Sequence, residues 1–295
     1  MSVNAWFLDT AVGTGLYGVM AGMFVPAFIA RIPEPGAEPR EATGQGPGRD
    51  PREGPGERTG ARPGDEVDAA LPGTGPEASA TSEPHAVVPE ATPGIVAPEV
   101  SEPKQLYAEI ARLPGLRWRT SLATGVVSAL IGARTGWEPQ LTFLLFLAPV
   151  GVSLAVIDWK TRLLPTKVIS PTYFVVAALA VLSALAGGDW SPLGNAAWGW
   201  LIAGGTFFVL WFIYPKGMGY GDVRLAGVLG ISLGYLGWSE LLTGVYAGFL
   251  LGGVGGLLLS TLRIVDRKAY PFGPFMLAGA LVGILTGPYI AAWYV

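Results

Sequence analysis

The sequence contains no cysteine and only one histidine, His85, in 295 residues. These shortages exclude thiol nucleophiles, disulfide frameworks, zinc sites built from Cys and His, and a Ser-His-Asp triad in the membrane part. Charged residues are also scarce, at 14% against about 25% in average globular proteins, while 51% of the residues are hydrophobic. The composition therefore predicts a membrane protein whose chemistry relies on carboxylates, hydroxyls, Lys, Arg or backbone groups.

Aromatic residues are missing from the whole stretch between Phe28 and Tyr107. Within it, residues 33–104 hold 14 Pro, 11 Gly and a net charge of -8. Such a segment cannot bury enough apolar surface to offset its ordering entropy, so we expect a disordered, acidic cytoplasmic linker. Residues 1–32 are expected to form a retained transmembrane anchor, because basic residues follow the apolar stretch and no Ala-x-Ala cleavage site ends it.

Apolar stretches near the length needed to cross a bilayer, about 20 residues, recur along the rest of the chain. The fold class predicted is an all-α polytopic membrane protein with about eight transmembrane helices and the long linker after helix 1. Residues 105–117 show helical spacing of apolar residues that predicts a short interfacial helix, and residues 118–295 then form a seven-helix membrane domain. The eight spans are expected at about residues 6–30, 118–136, 139–157, 168–186, 196–214, 223–237, 241–262 and 274–294.

Basic residues indicate the orientation of these spans. In the eight-span topology, 18 of the 19 Lys and Arg residues fall on one membrane face, and Arg134 is the exception. Loops that face the cytoplasm are enriched in Lys and Arg. The pattern predicts a multi-pass membrane protein with both termini outside and the linker on the cytoplasmic side.

Six acidic residues lie within residues 118–295. Glu138, Asp189 and Glu240 are expected as solvated residues of outer turns, and Asp266 as an ion-pair partner in an inner loop. Asp158 and Asp222 differ, because each lies at the cytoplasmic end of an apolar span, where ionisable residues are costly and point to function.

Paired carboxylates suit one reaction in particular. Two carboxyl groups at one depth can share a proton, so that the ionised one activates a water while the protonated one polarises a scissile carbonyl. The structural alternative is that both acids form interface ion pairs with Lys160, Arg162 or Arg224.

The glycine-rich segment Lys216-Gly-Met-Gly-Tyr-Gly-Asp222 favours the functional interpretation. Alternating Gly residues disfavour a helix and allow close backbone approach, so we expect a loop that borders a site. A small-residue helix-packing motif needs a spacing of four, which suits Gly252 to Gly256 instead. A phosphate-binding loop is excluded, because no Gly-Lys-Ser/Thr follows.

Three motifs together resemble the prepilin peptidases, which are type IV leader peptidases of the Gly-x-Gly-Asp class of membrane aspartic proteases. The motifs are Asp158-Trp-Lys-Thr-Arg-Leu-Leu-Pro165, Gly217-Met-Gly-Tyr-Gly-Asp222-Val-Arg-Leu-Ala, and Pro271-Phe-Gly-Pro-Phe275. The resemblance covers about residues 139–295 and is weaker at Gly15 to Pro33. It implies that Asp158 and Asp222 are the catalytic pair and that the loop of Lys216, Gly217, Gly219 and Gly221 brings Asp222 forward. The supporting residues that it implies are Leu164, Pro165, Arg224, Pro271, Gly273 and Pro274, with packing favoured for the Pro271–Phe275 motif.

The resemblance also implies a substrate class. Family substrates are prepilins or pseudopilins, cut at the cytoplasmic face after a Gly that ends a short basic leader. The partners expected are therefore such precursors and the lipid bilayer, and no nucleic acid, cofactor or metal is expected. Long family members carry Cys-x-x-Cys motifs in the segment that is the linker here. Their absence excludes that zinc site and argues against N-methyltransferase activity, while Arg224 replaces a common Lys with charge retained.

Two other functions are considered as alternatives to an aspartic protease. One is a non-enzymatic assembly protein of a pilus or secretion system whose acidic linker recruits partners. The other is a Ser/Lys-dyad peptidase using Lys160, Lys167 or Lys216, which the lack of a recognisable nucleophile serine disfavours. The arrangement of Asp158 and Asp222 discriminates among these hypotheses.

Overall fold

The computed structural model of the protein describes residues 6–34, 107–215, 218–262 and 271–294. Nearly all of the predicted linker lies outside these residues, as do Lys216, Gly217 and Asp266. The described parts form helices without any β-strand. In chain order they are α1 (Leu8–Met23), α2 (Val25–Ala30), α3 (Tyr107–Ala111), α4 (Leu116–Thr135), α5 (Leu141–Thr161), α6 (Thr166–Gly187), α7 (Ser191–Gly199), a π-helical turn (Trp200–Gly204), α8 (Gly205–Ile213), α9 (Tyr220–Leu236), α10 (Trp238–Thr261) and α11 (Gly273–Tyr294).

Helical stretches stand at each of the eight predicted spans. Five are long and apolar enough to cross a membrane, and they are Leu8–Ala30, Leu141–Thr161, Thr166–Gly187, Ser191–Ile213 and Gly273–Trp293. The other three spans correspond to α4, α9 and α10, of 20, 17 and 24 residues. At a rise of about 1.5 Å per residue, α4 is about 30 Å long, which matches the hydrocarbon thickness. The protein is an all-α polytopic membrane protein with about eight transmembrane helices.

Small and hydroxyl-bearing residues let α1 and α4 pack closely. The buried residues of α1 recur every four positions, at Thr10, Thr14, Gly18 and Gly22. The Thr120 hydroxyl donates a hydrogen bond to the carbonyl of Gly22 across the interface at 2.9 Å. Because lipid provides no hydrophobic force between helices, close backbone approach and such bonds hold the pair together.

Helices α10 and α11 approach through glycines at a spacing of four. A Cβ on Gly279 would stand 2.3 Å from the Gly248 nitrogen, and one on Gly283 would stand 2.8 Å from the Gly244 Cα. The glycine seam thus lies nearer the start of α10 than the predicted motif at Gly252. Gly252 instead faces the Phe272 ring, 2.3 Å from where its Cβ would be.

Two sequence-based expectations differ from the structure. The residues expected to form one helix over 105–117 are divided between α3 and the start of α4, and the chain turns before α4 at Gly115, whose φ is +75°. Glu240, expected in a solvated turn, lies in the first turn of α10 with only 9% of its surface exposed. The cause is Gly287, whose missing side chain lets α11 cover Glu240, with the Cβ position 2.7 Å from the Glu240 Cα.

Candidate active site

Asp158 lies in the last turn of α5, just before the helix ends. The end is made by Arg162, which adopts the left-handed conformation (φ 54°, ψ 30°) while its N–H donates to the Asp158 carbonyl at 2.8 Å. The Asp158 side chain is 4% exposed. Leu154 and Ile157, which precede it on α5, belong to the buried apolar cluster. A carboxyl group this deeply buried needs polar partners.

The start of α11 provides that partner. The backbone N–H of Gly273 donates to Asp158 Oδ2 at 2.9 Å, a hydrogen bond between residues 115 positions apart. A Cβ on Gly273 would lie 2.8 Å from the same oxygen. The absence of a side chain at residue 273 therefore permits the contact. As the first residue of a helix, Gly273 offers an N–H that no intrahelical carbonyl uses.

Asp222 lies in the first turn of a helix, whereas Asp158 lies in the last turn of one. α9 begins at Tyr220, and Asp222 Oδ2 accepts a hydrogen bond from the N–H of the N-cap residue Gly219 at 3.1 Å. A carboxylate there also interacts favourably with the positive end of the helix dipole. Asp222 is 8% exposed, and Gly221 is helical rather than part of the loop that its sequence indicated.

Gly221 brings the two aspartate-bearing segments against each other. A Cβ at this position would stand 2.7 Å from the Leu164 Cβ and 3.3 Å from the Leu164 carbonyl oxygen. Leu164 and Pro165 form the turn between α5 and α6, and Pro165 is the N-cap of α6. The first turn of α9 can therefore lie directly on the turn that follows Asp158.

The two carboxyl groups are near enough to interact electrostatically. In both of them Oδ2 accepts a backbone N–H, whereas Oδ1 has no hydrogen-bond partner within the described part of the chain. This leaves one oxygen on each aspartate available to a water or a substrate.

The ion-pair alternative does not fit the cations near these acids. Arg224 donates to the Thr166 hydroxyl and lies over the Tyr220 ring, 4.7 Å from its centroid. The Arg224 carbonyl accepts the Tyr173 hydroxyl at 2.7 Å. Over the four described ranges, neither Asp158 nor Asp222 is bonded to Lys or Arg. Lys216, the remaining cation of the motif, lies outside them.

The Pro271–Phe275 motif does more than the packing role favoured from the sequence. Packing is present, because Phe272 contacts the rings of Phe207 and Phe249, with centroids 5.9 Å apart in both pairs. Pro271 is buried and Pro274 half-buried. The contact that the sequence did not reveal is the Gly273 hydrogen bond to Asp158. Its one local signal is a glycine placed where the last helix begins.

Comparison with known proteins follows the same residues. The model of the type IV leader peptidase family matches residues 141–257, a range that contains both Asp158 and Asp222. A prepilin leader peptidase/N-methyltransferase of Bacillus subtilis is 30% identical over 178 residues, which cover 59% of this chain and 68% of that protein. The leader peptidase HopD of Escherichia coli is 32% identical over 152 residues, covering 49% and 93%. The chain belongs to the type IV leader peptidase family.

Longer members of the family match only in part. The prepilin leader peptidase/N-methyltransferase of Aeromonas salmonicida is 33% identical over 193 residues, which cover 62% of this chain and 61% of the relative. The chain therefore spans less than two thirds of that relative's length. No solved structure gives a significant match to the chain.

Proposed function

We propose that this type IV leader peptidase family member is a membrane-embedded aspartic endopeptidase that removes the basic leader from type IV prepilin-like precursors. The observation that carries the proposal is the pair of buried aspartates, Asp158 and Asp222, each held through Oδ2 by a backbone N–H while Oδ1 stays unpaired among the described residues. Catalytic groups must be held in position before the substrate arrives, and backbone donors hold them more rigidly than long side chains.

The chemistry follows from one proton shared between two carboxyl groups. The ionised carboxylate takes a proton from a water as the water oxygen attacks the scissile carbonyl carbon, and the protonated carboxyl donates a hydrogen bond to the carbonyl oxygen. The tetrahedral intermediate then collapses as a carboxyl proton passes to the departing amine. The pair ends with one proton again, so the cycle needs no cofactor.

The site is assigned to the cytoplasmic face of the inner membrane. Arg117, Arg119, Lys160, Arg162 and Lys167 flank the helix ends near Asp158 and Asp222, whereas Arg134 lies at the far end of α4. Lys and Arg mark the cytoplasmic side. A precursor whose basic leader remains in the cytoplasm while its apolar helix enters the bilayer would present the junction at this depth.

The N-methyltransferase part of the relatives' names is not included in this proposal. The segment that would carry the Cys-x-x-Cys motifs of long members is the Pro/Gly-rich stretch of residues 33–104, which has no Cys and no aromatic residue. A cofactor pocket is normally concave and mostly apolar, and this composition offers little to line one.

The test is cleavage of a prepilin-like precursor by single Asn variants in membranes. Asp158→Asn and Asp222→Asn each keep the side-chain volume but remove one proton-transfer role, so each should lose cleavage while inserting normally. Asp189→Asn is the matched control, because Asp189 is an acid of the same kind whose hydrogen bonds within the described part of the chain go to Ser191.

The same experiment decides against the alternatives. Normal processing by either active-site variant would reject the aspartate pair. If the wild-type protein cleaves no precursor from its own genome yet is needed for pilus or secretion assembly, the non-enzymatic assembly role is the better account.

A further inference from the structure

A lateral groove opens toward the bilayer between α2, α5 and α6. It encloses about 370 Å³, which lies within the usual size of a small-ligand site. Phe28 and Val175 line it and are themselves 41% and 37% exposed, so the groove is open to the surrounding lipid. Its deeper wall is apolar and includes Phe146, Val150 and Val168.

Two cations line the same groove. Arg31 directly follows α2, and Lys167 is the second residue of α6. Both are exposed, and neither side chain forms a hydrogen bond or an ion pair with any residue in the described ranges. The nearest acid along the chain from Arg31, Glu34, instead accepts the Ala108 N–H at 3.3 Å. Two positive charges in one groove repel each other, and an anion that lies between them offsets this repulsion.

We propose that this groove binds an anionic phospholipid, with its phosphate between Arg31 and Lys167 and an acyl chain along Phe28, Phe146 and Val175. The chemistry of the lining residues favours this occupant. Basic pockets between transmembrane helices on the cytoplasmic side select acidic headgroups, and the apolar, lipid-exposed wall suits a hydrocarbon chain. A basic leader peptide would be repelled by the two cations. Neither Asp158 nor Asp222 lines the groove, and the lipid site does not depend on the proposed peptidase activity.

Native mass spectrometry of the purified full chain tests the proposal directly. The protein in neutral detergent is titrated with phosphatidylglycerol and, in parallel, with phosphatidylcholine of the same chains. Each Lys or Arg near an acidic headgroup contributes about fivefold in affinity, so Arg31→Gln/Lys167→Gln should bind phosphatidylglycerol roughly 30-fold more weakly. Phosphatidylcholine binding should change little.

Two further variants separate the groove from general surface charge. Arg112→Gln/Arg117→Gln removes two exposed cations from the same membrane side without touching the groove, and it should retain wild-type affinity. Val175→Trp fills the chain-binding part with both cations intact, and it should weaken binding of the lipid.

Three results would overturn the lipid site. One is unchanged phosphatidylglycerol binding by Arg31→Gln/Lys167→Gln in folded protein. Another is an equal loss in the Arg112/Arg117 control, which would assign the effect to the interface as a whole. The third is equally tight binding of glycerol 3-phosphate, which would show that the cations take a free phosphate and that the apolar wall contributes nothing.

Discussion

Gly273→Ala tests how the Asp158 carboxylate is held. The added Cβ would stand 2.8 Å from Asp158 Oδ2 and 3.3 Å from Cγ, where contact is tighter than atoms tolerate. Either the carboxylate or the start of α11 must shift, and the 2.9 Å hydrogen bond from the Gly273 N–H is lost. A hydrogen bond to a charged group contributes about 1.5–3 kcal/mol. At a factor of ten for each 1.36 kcal/mol, cleavage should slow roughly 10- to 100-fold.

The assay for this variant is the rate of precursor cleavage in membranes that contain equal amounts of inserted protein. Gly253→Ala is the matched control, because a Cβ at Gly253 meets no atom within 4 Å and Ala favours a helix more than Gly does. The control should cleave as fast as the wild type. A Gly273→Ala rate within twofold of wild type would refute the argument that this N–H positions the Asp158 carboxyl for cleavage.

The other predictions concern the second aspartate, the topology and the linker. Gly221→Ala should slow cleavage more than Gly219→Ala, because its Cβ would meet Leu164 at 2.7 Å whereas the Gly219 Cβ would meet Asp222 Oδ2 at 3.3 Å; the reverse order, measured in the same cleavage assay, would contradict the packing argument. Reporters fused at Gly188 or Gly237 should indicate the outside, and those at Lys104 or Arg267 the cytoplasm; the same side for Gly188 and Arg267 would reject the eight-span topology. Deletion of residues 36–100 should leave cleavage largely intact, since an acidic segment without aromatic residues affects encounter more than specificity; complete loss in an inserted variant, or a linker-dependent methylated product seen by mass spectrometry, would be the contrary result.

The helices were predictable because lipid leaves the backbone few options. Every buried backbone group must be satisfied internally, so each long apolar stretch becomes a helix. The sequence also identified Asp158 and Asp222 as the unusual acids, because each interrupts an apolar stretch at the same predicted depth. These inferences need only the local sequence and the charge asymmetry.

Contacts between distant segments were not predictable in the same way. The Gly273–Asp158 hydrogen bond joins residues 115 positions apart, and the burial of Glu240 depends on α11 crossing at Gly287. No local pattern identifies the distant partner in either contact. The start of α9 is a different case, because an acid three residues after Gly219 is a recognisable helix N-terminus signal. The alternating glycines suggested a loop there. In the structure the Asp222 side chain caps α9, and the first turn of this helix includes Gly221.

The proposed peptidase requires Asp158 and Asp222 to meet at one site, and the lack of any cysteine in the chain makes their proximity directly measurable. An Asp158→Cys/Asp222→Cys variant, with a protease site inserted after Gly188, is treated in membranes with thiol cross-linkers of graded length and then digested. We predict that the shortest linkers hold the two fragments together, and that an Asp158→Cys/Asp189→Cys control, whose positions lie before and after α6, separates into two fragments. Fragments that separate in the Asp158/Asp222 variant, despite full labelling of both thiols, would contradict the shared site.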